Sequence, residues 1–126
     1  MATTTQMDRA FRIMRKAGVV WSDPTIVSSL RTAGSDLTYM EFLGTIRETQ
    51  EYKTRFPAFA EMKVRDNTIQ TEADYIQQEE KYKLSIGKYV TDPTVASGLT
   101  SVSKLAEFML NDVSQVEVED RLQAAD

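Results

Sequence analysis

Residues 46–89 read IRETQEYKTRFPAFAEMKVRDNTIQTEADYIQQEEKYKLSIGKY, and this stretch decides the fold. It holds four of the five tyrosines and two of the five phenylalanines. From Thr71 onward the apolar positions Tyr75, Ile76, Tyr82, Ile86 and Tyr89 gather on one side of an α-helix of about five turns. Thr71 with Asp74 three residues later is a capping-box pair, and the carboxylate lies near the positive end of the helix dipole. Gly87 loosens the last turn, and Asp92 and Pro93 provide the firm stop.

Upstream, Arg55-Phe56-Pro57 interrupts a second helical region, because proline clashes with the carbonyl four residues earlier and biases its predecessor away from helical dihedrals. Phe56 is therefore expected at a bend, as a wedge between helices. Tyr52 is its i, i+4 neighbour, and Pro57 leads into a short helix carrying Phe59, Met62 and Val64 inward. Glu79 stands out because it falls between Tyr75 and Tyr82 on the apolar side of the long helix. A carboxylate there needs a structural partner, and Arg47, Lys53 and Arg55 are the basic candidates.

Working outward, Met7, Ala10, Phe11 and Met14 predict a basic amphipathic helix over residues 5–17, closed by Gly18. Val19, Val20 and Trp21 follow as an extended piece against the core. Asp23 as N-cap and Pro24 at the first helical position start a helix with Ile26, Val27 and Leu30 inward, ending at Gly34. Ser35 or Asp36 caps a third helix carrying Leu37, Met40, Leu43 and Ile46, whose spacing drifts around the helix, and Tyr39 and Phe42 add to a broad apolar face. Residues 62–70, with Asp66 and Asn67, read as a loop, as do residues 91–101 with their Pro, Gly, Ser and Thr. Thr100 or Ser101 caps a helix burying Val102, Leu105, Phe108 and Met109. Ser114 with Glu117 opens a last one with Val118 and Leu122 inward. The expectation is an all-α fold, a single compact domain over residues 1–126 with about six to seven helices. Tyr52, Phe56, Phe59, Tyr75, Tyr82, Phe108 and Leu122 are expected in or lining its core.

Composition narrows the function classes. With 41% hydrophobic and 27% charged residues the chain lies in the globular range, and no apolar run is long enough to span a bilayer. The polar start MATTTQ lacks the hydrophobic centre of a secretory signal, so synthesis in the cytoplasm is expected. Zero cysteine removes disulfides and thiolate chemistry. Zero histidine removes the commonest neutral-pH base and the commonest transition-metal ligand. The acidic groupings Asp112 with Glu117, Asp74 with Glu79 and Glu80, and Asp66 with Asn67 do not form a calcium-binding loop, and there is no phosphate-binding glycine loop. No catalytic, cofactor or metal site is therefore expected.

Charge is distributed unevenly around the total of −4. Residues 1–17 carry Arg9, Arg12, Arg15 and Lys16 against Asp8, whereas residues 105–126 carry six acidic side chains against Arg121. Ends of opposite sign suit a head-to-tail contact between copies, with a ring as one outcome, or a contact with a larger assembly, and solvated helix faces account for the same charges without a partner. Arg9, Phe11, Arg12, Arg15 and Lys16 would lie on one side of that contact and Glu117 and Asp120 on the other. Phe11, Met14 and Val118 would supply its apolar part. The same basic helix is also the feature that a small regulatory or nucleic-acid-binding protein would use, although the net acidity and the lack of a binding signature oppose nucleic acid.

Three stretches carry a family resemblance. They are Tyr52, Lys53, Arg55, Phe56 and Pro57, then Glu72, Ala73, Asp74, Tyr75, Ile76, Glu79 and Tyr82, then Asn111, Asp112, Val113, Ser114, Glu117 and Arg121. In this order, over about residues 40–126, the chain resembles a helical module of tailed-bacteriophage virion proteins, notably tail tape-measure-type and tail-tip proteins. The resemblance implies a structural part of a phage particle, made in the host cytoplasm and located in the virion. It implies other virion proteins as partners and no enzymatic activity.

Overall fold

The computed structural model describes residues 1–65, 68–111 and 113–125, with side chains described as far as Leu122. The described residues form nine helices and no strand, so the chain is all-α, with more helices than the six to seven expected. Asp92 and Pro93 start a helix where a loop was expected, and Thr49 and Pro57 divide the middle of the chain into short helices. Two compact units follow one another along the chain, Met1–Arg55 and Phe56–Asp126.

The first unit contains α1 (Thr4–Lys16), α2 (Pro24–Gly34), α3 (Tyr39–Arg47) and α4 (Gln50–Arg55). Thr3 and Gln6 form a reciprocal capping box that starts α1, one residue earlier than expected. The helix buries Met7, Ala10, Phe11 and Met14. Gly18 then turns the chain at φ +107°, a left-handed conformation that side-chain-bearing residues rarely adopt. A Cβ there would also lie 2.8 Å from Arg55 Nε, which donates to the Ala17 carbonyl at 2.7 Å. Val19 and Trp21 are buried while Val20 is exposed, the alternation of an extended segment.

Asp23 and Pro24 start α2 as expected, the Asp23 carboxylate accepting the Thr25 N–H at 2.9 Å. Gly34 ends it for a reason other than backbone freedom. A Cβ on Gly34 would come within 2.6 Å of the Phe42 ring and 2.8 Å of the Met7 sulfur, so α1, α2 and α3 converge where no side chain fits. The Phe11 ring lies beside this point, edge-on to Trp21 at 5.3 Å and to Phe42 at 5.6 Å. Thr38, paired with Glu41, caps α3 in place of Ser35 or Asp36. Of the broad apolar side of α3, Phe42 and Ile46 are the residues that are buried, and Met40 is 68% exposed.

The second unit contains α5 (Phe59–Arg65), α6 (Glu72–Tyr89), α7 (Pro93–Leu99), α8 (Val102–Leu110) and α9 (Gln115–Ala125). Phe56 lies at the bend after α4, buried and edge-on to Tyr75 at 5.3 Å. Phe59 completes the cluster, 6.4 Å from Phe56 and 6.3 Å from Tyr75. The Ala58 backbone N–H, exposed by the turn into α5, donates to Tyr75 Oη at 3.4 Å. Val64 is 86% exposed and not inward, because two residues beyond the buried Met62 is the opposite side of a helix. Residues 62–65 continue α5 where a loop was expected, Asp66 and Asn67 lie outside the described residues, and Ile69 is buried.

Thr71 and Asp74 form the expected capping box at the start of α6. The helix buries Tyr75, Glu79, Tyr82, Ser85 and Ile86, while Ile76 and Tyr89 are half-buried. Ser101 caps α8, and Ser114 Oγ accepts the Glu117 N–H at 3.1 Å to open α9. Within this unit α9 packs along α6 more extensively than any other helix pair does. Tyr82 Oη donates to the Val113 carbonyl just before α9, and its ring lies 5.4 Å from Phe108.

Gly34→Ala should lower stability by about 1–3 kcal/mol by overpacking. Gly44→Ala, inside α3 with nothing within 4 Å of an added Cβ, should raise it by about 0.5–1 kcal/mol. Urea denaturation of the two variants should give opposite signs, and equal shifts would refute the helix convergence at Gly34. Phe56→Ala should cost about 3–5 kcal/mol, and an unchanged unfolding midpoint would place that ring outside the core.

Candidate functional site

The charged surface of α1 is the first candidate. Arg9, Arg12, Arg15 and Lys16 are all exposed, while the one acidic residue of the helix, Asp8, is bound to Arg31 at 2.6 Å. Arg9, Arg12 and Lys16 form no ion pair among the described residues. Ile13 lies among them and is 48% exposed. Phe11, expected at this surface, is instead fully buried, with the guanidinium groups of Arg31 and Arg15 at 5.0 and 5.7 Å from its ring centroid. Its hydrophobic area is spent in the core, where Trp21 and Phe42 enclose it.

At the other end of the chain, Glu117 and Asp120 are exposed on α9. Glu117 approaches Arg121 at 3.8 Å, a loose surface pair within one helix, and Glu119 pairs with Lys88 at 3.3 Å. Met14 and Val118, expected as apolar contributors to a contact, are buried, being 3% and 4% exposed. The apolar side chain that α9 does present is Val116, 63% exposed.

The residues expected to be structural are placed in or beside the core. Tyr52, Phe56, Tyr75, Glu79 and Tyr82 are buried, and Pro57 lies at the surface of its turn. Glu79 is engaged within the protein, as a 1%-exposed carboxylate has to be.

Sequence reasoning missed one feature. An apolar groove runs over the second unit between the end of α6 and helices α7, α8 and α9. It consists of adjoining depressions of about 210 and 330 Å³ that share Leu99 and Leu122, with Phe108 in one and Val95 in the other. Helix α7 buries none of its own side chains, which is why the groove stays open beside it. The signal for this helix was present: Asp92-Pro93 repeats the Asp23-Pro24 start, with the Asp92 carboxylate accepting the Thr94 N–H at 2.9 Å. A separate cleft of about 310 Å³ is lined by Met62, Gln78, Lys81, Tyr82, Met109 and Ser114.

Among the described residues no group of three or more acidic side chains converges as a metal site would require, and no helix is long and apolar enough to cross a membrane. Asp66, Asn67 and Asp112 lie outside the described residues, and Asp74 is occupied as a cap. Among the described residues, Asp23, Glu41 and Asp74 have carboxyls held below the usual carboxylate range, and each is a helix cap. The cause is the Thr25 hydroxyl, then its N–H, for Asp23, the Thr38 N–H for Glu41 and the Gln70 N–H for Asp74. No family model matches the chain, and no curated protein or solved structure does either.

The caps predict acid sensitivity with a definite sign. A lowered folded-state pKa means that the unfolded chain takes up the proton first. The stabilisation is therefore present above the unfolded value of about 3.9 and is lost as pH falls through the lower folded value. Asp74→Asn should melt below the wild type at neutral pH, and the gap should close as the pH is lowered beneath about 4. A gap independent of pH would show that the charge of Asp74 contributes nothing.

Proposed function

We propose that the chain is a non-enzymatic structural protein of a tailed-bacteriophage virion, an interaction module of the tail or of the head-tail connection. The observation that carries this reading is the resemblance over three ordered stretches. Its support lies in what those residues do. From Phe56 onward several of them pack or cap within one compact unit: Phe56 against Tyr75, Asp74 with Thr71 at the start of α6, Tyr82 on the Val113 carbonyl, and Ser114 on the Glu117 N–H. A motif set that builds a self-contained helical body is what a reusable structural module requires. The chain also lacks histidine and cysteine, and its shifted carboxyls are employed as caps. Other virion proteins would be the partners.

A second reading, a small regulatory or nucleic-acid-binding protein, is favoured by the unpaired cations of α1 alone. Binding to duplex DNA that weakens steeply with added salt would support it. Mass spectrometry of purified phage particles separates the two. The virion reading expects the protein at a fixed copy number relative to the major tail or capsid protein, and its absence from intact particles would overturn that reading.

A further inference from the structure

We infer that the outer face of α1 in one copy docks on the outer face of α9 in a second copy, forming a head-to-tail contact. The two faces are built alike with opposite sign. On α1, Ile13 is flanked by Arg9 four residues before it, Arg12 beside it and Lys16 three residues after it, all exposed. On α9, Val116 is flanked by Glu117 and, one turn on, Asp120, again all exposed. Each face is thus a small apolar centre beside charge that is basic on α1 and mainly acidic on α9, where Glu117 is loosely paired with Arg121 at 3.8 Å and Asp120 forms no ion pair among the described residues. In such an arrangement apolar contact supplies affinity and charge supplies orientation. The pairing of Asp8 with Arg31 removes the only acidic side chain of α1 from competition.

The structure favours a second copy over the other anionic partners. An anionic membrane would need the apolar side of α1 free to insert, and that side is buried through Met7, Phe11 and Met14. Nucleic acid is attracted by Arg9, Arg12 and Lys16 but repelled by a chain of net charge −4, and it has no use for the exposed Ile13. The acidic face of α9 meets the requirement from within the same sequence. Because the two faces differ, the contact is heterologous, and its repetition closes a ring or continues as a filament. One helix on one helix is a smaller interface than the roughly 1,200 Å² of stable complexes, so a single contact is weak and is strengthened by closure. The inference rests on these two faces and not on the virion reading, and it is tested on purified protein, so the two can fail separately.

Sedimentation velocity at low salt and up to about 1 mM protein should show wild-type species larger than the monomer, dissociating as salt is raised. Two variants then decide the matter. Arg9→Glu with Arg12→Glu makes both faces acidic, and Glu117→Lys with Asp120→Lys makes both basic. Each alone should associate at least about tenfold more weakly than the wild type. Mixed in equal amounts they should associate again, because each supplies the face that the other lacks. Circular dichroism of each variant confirms that its helices are intact, and recovery on mixing is an outcome that misfolding does not produce. A monomeric wild type under these conditions overturns the inference. So does failure of the mixture to associate, and so does a basic face that binds DNA while the protein remains monomeric.

Discussion

Pro57 has no backbone N–H to donate, and much of the second unit follows from that. Helix α4 ends at Arg55, Phe56 turns inward at the bend, and the next N–H, that of Ala58, needs an acceptor before α5 begins. Tyr75 meets both demands: its ring receives Phe56 edge-on and its hydroxyl receives the Ala58 N–H. Because Tyr75 lies on the first turn of α6, just after the Thr71 and Asp74 cap, the position at which that helix starts also sets the position of the bend. Tyr82, two turns on, repeats the device with Phe108 and the Val113 carbonyl, which ties the entry of α9 to the same helix. One face of α6 therefore organises the chain on either side of it through tyrosines that are apolar in the ring and polar at the tip.

The first unit is organised by close approach instead. Gly34 lets α1, α2 and α3 meet at a distance that a methyl group would prevent, and Phe11, Trp21 and Phe42 fill the space beside it. This arrangement has a consequence for the surface. With Phe11 and Met14 committed to the core, α1 presents to solvent its cations, its polar residues and, of its large apolar side chains, Ile13. What the helix can recognise is then set by charge pattern, and most of its apolar content is unavailable to a partner.

The ionisable groups divide by role. Asp23, Glu41 and Asp74 are exposed carboxylates held low in pKa by the backbone N–H groups and hydroxyls that they cap. Their perturbation is that of helix starts. A carboxyl poised for proton transfer would be raised by burial or by a like charge instead. Glu79 is buried and engaged within the protein. Many of the remaining charges are surface pairs of small energy, and Arg9, Arg12, Lys16 and Asp120 are among the exposed charges that the docking inferred above would use.

The helical class, the capped start of α6, the Asp23-Pro24 start of α2, the bend at Phe56 and the burial of Glu79 were legible in the sequence. Each depends on residues within one or two turns of one another, where spacing and capping chemistry act directly. The Asp92-Pro93 start was equally local, and it was obscured by the Gly, Ser and Thr that follow it in a helix with no buried side chain. What only the tertiary structure decided is which apolar residues are consumed in the core. Phe11, Met14 and Val118 read both as the apolar side of their helices and as contributors to a contact, and the structure commits them to the core, while Val64 and Met40 read as inward and are exposed. Periodicity identifies an apolar side of a helix but not which part of it a neighbour covers. The reason for Gly34 has the same origin: the closeness of three helices is a property of their packing, and no local pattern around residue 34 encodes it.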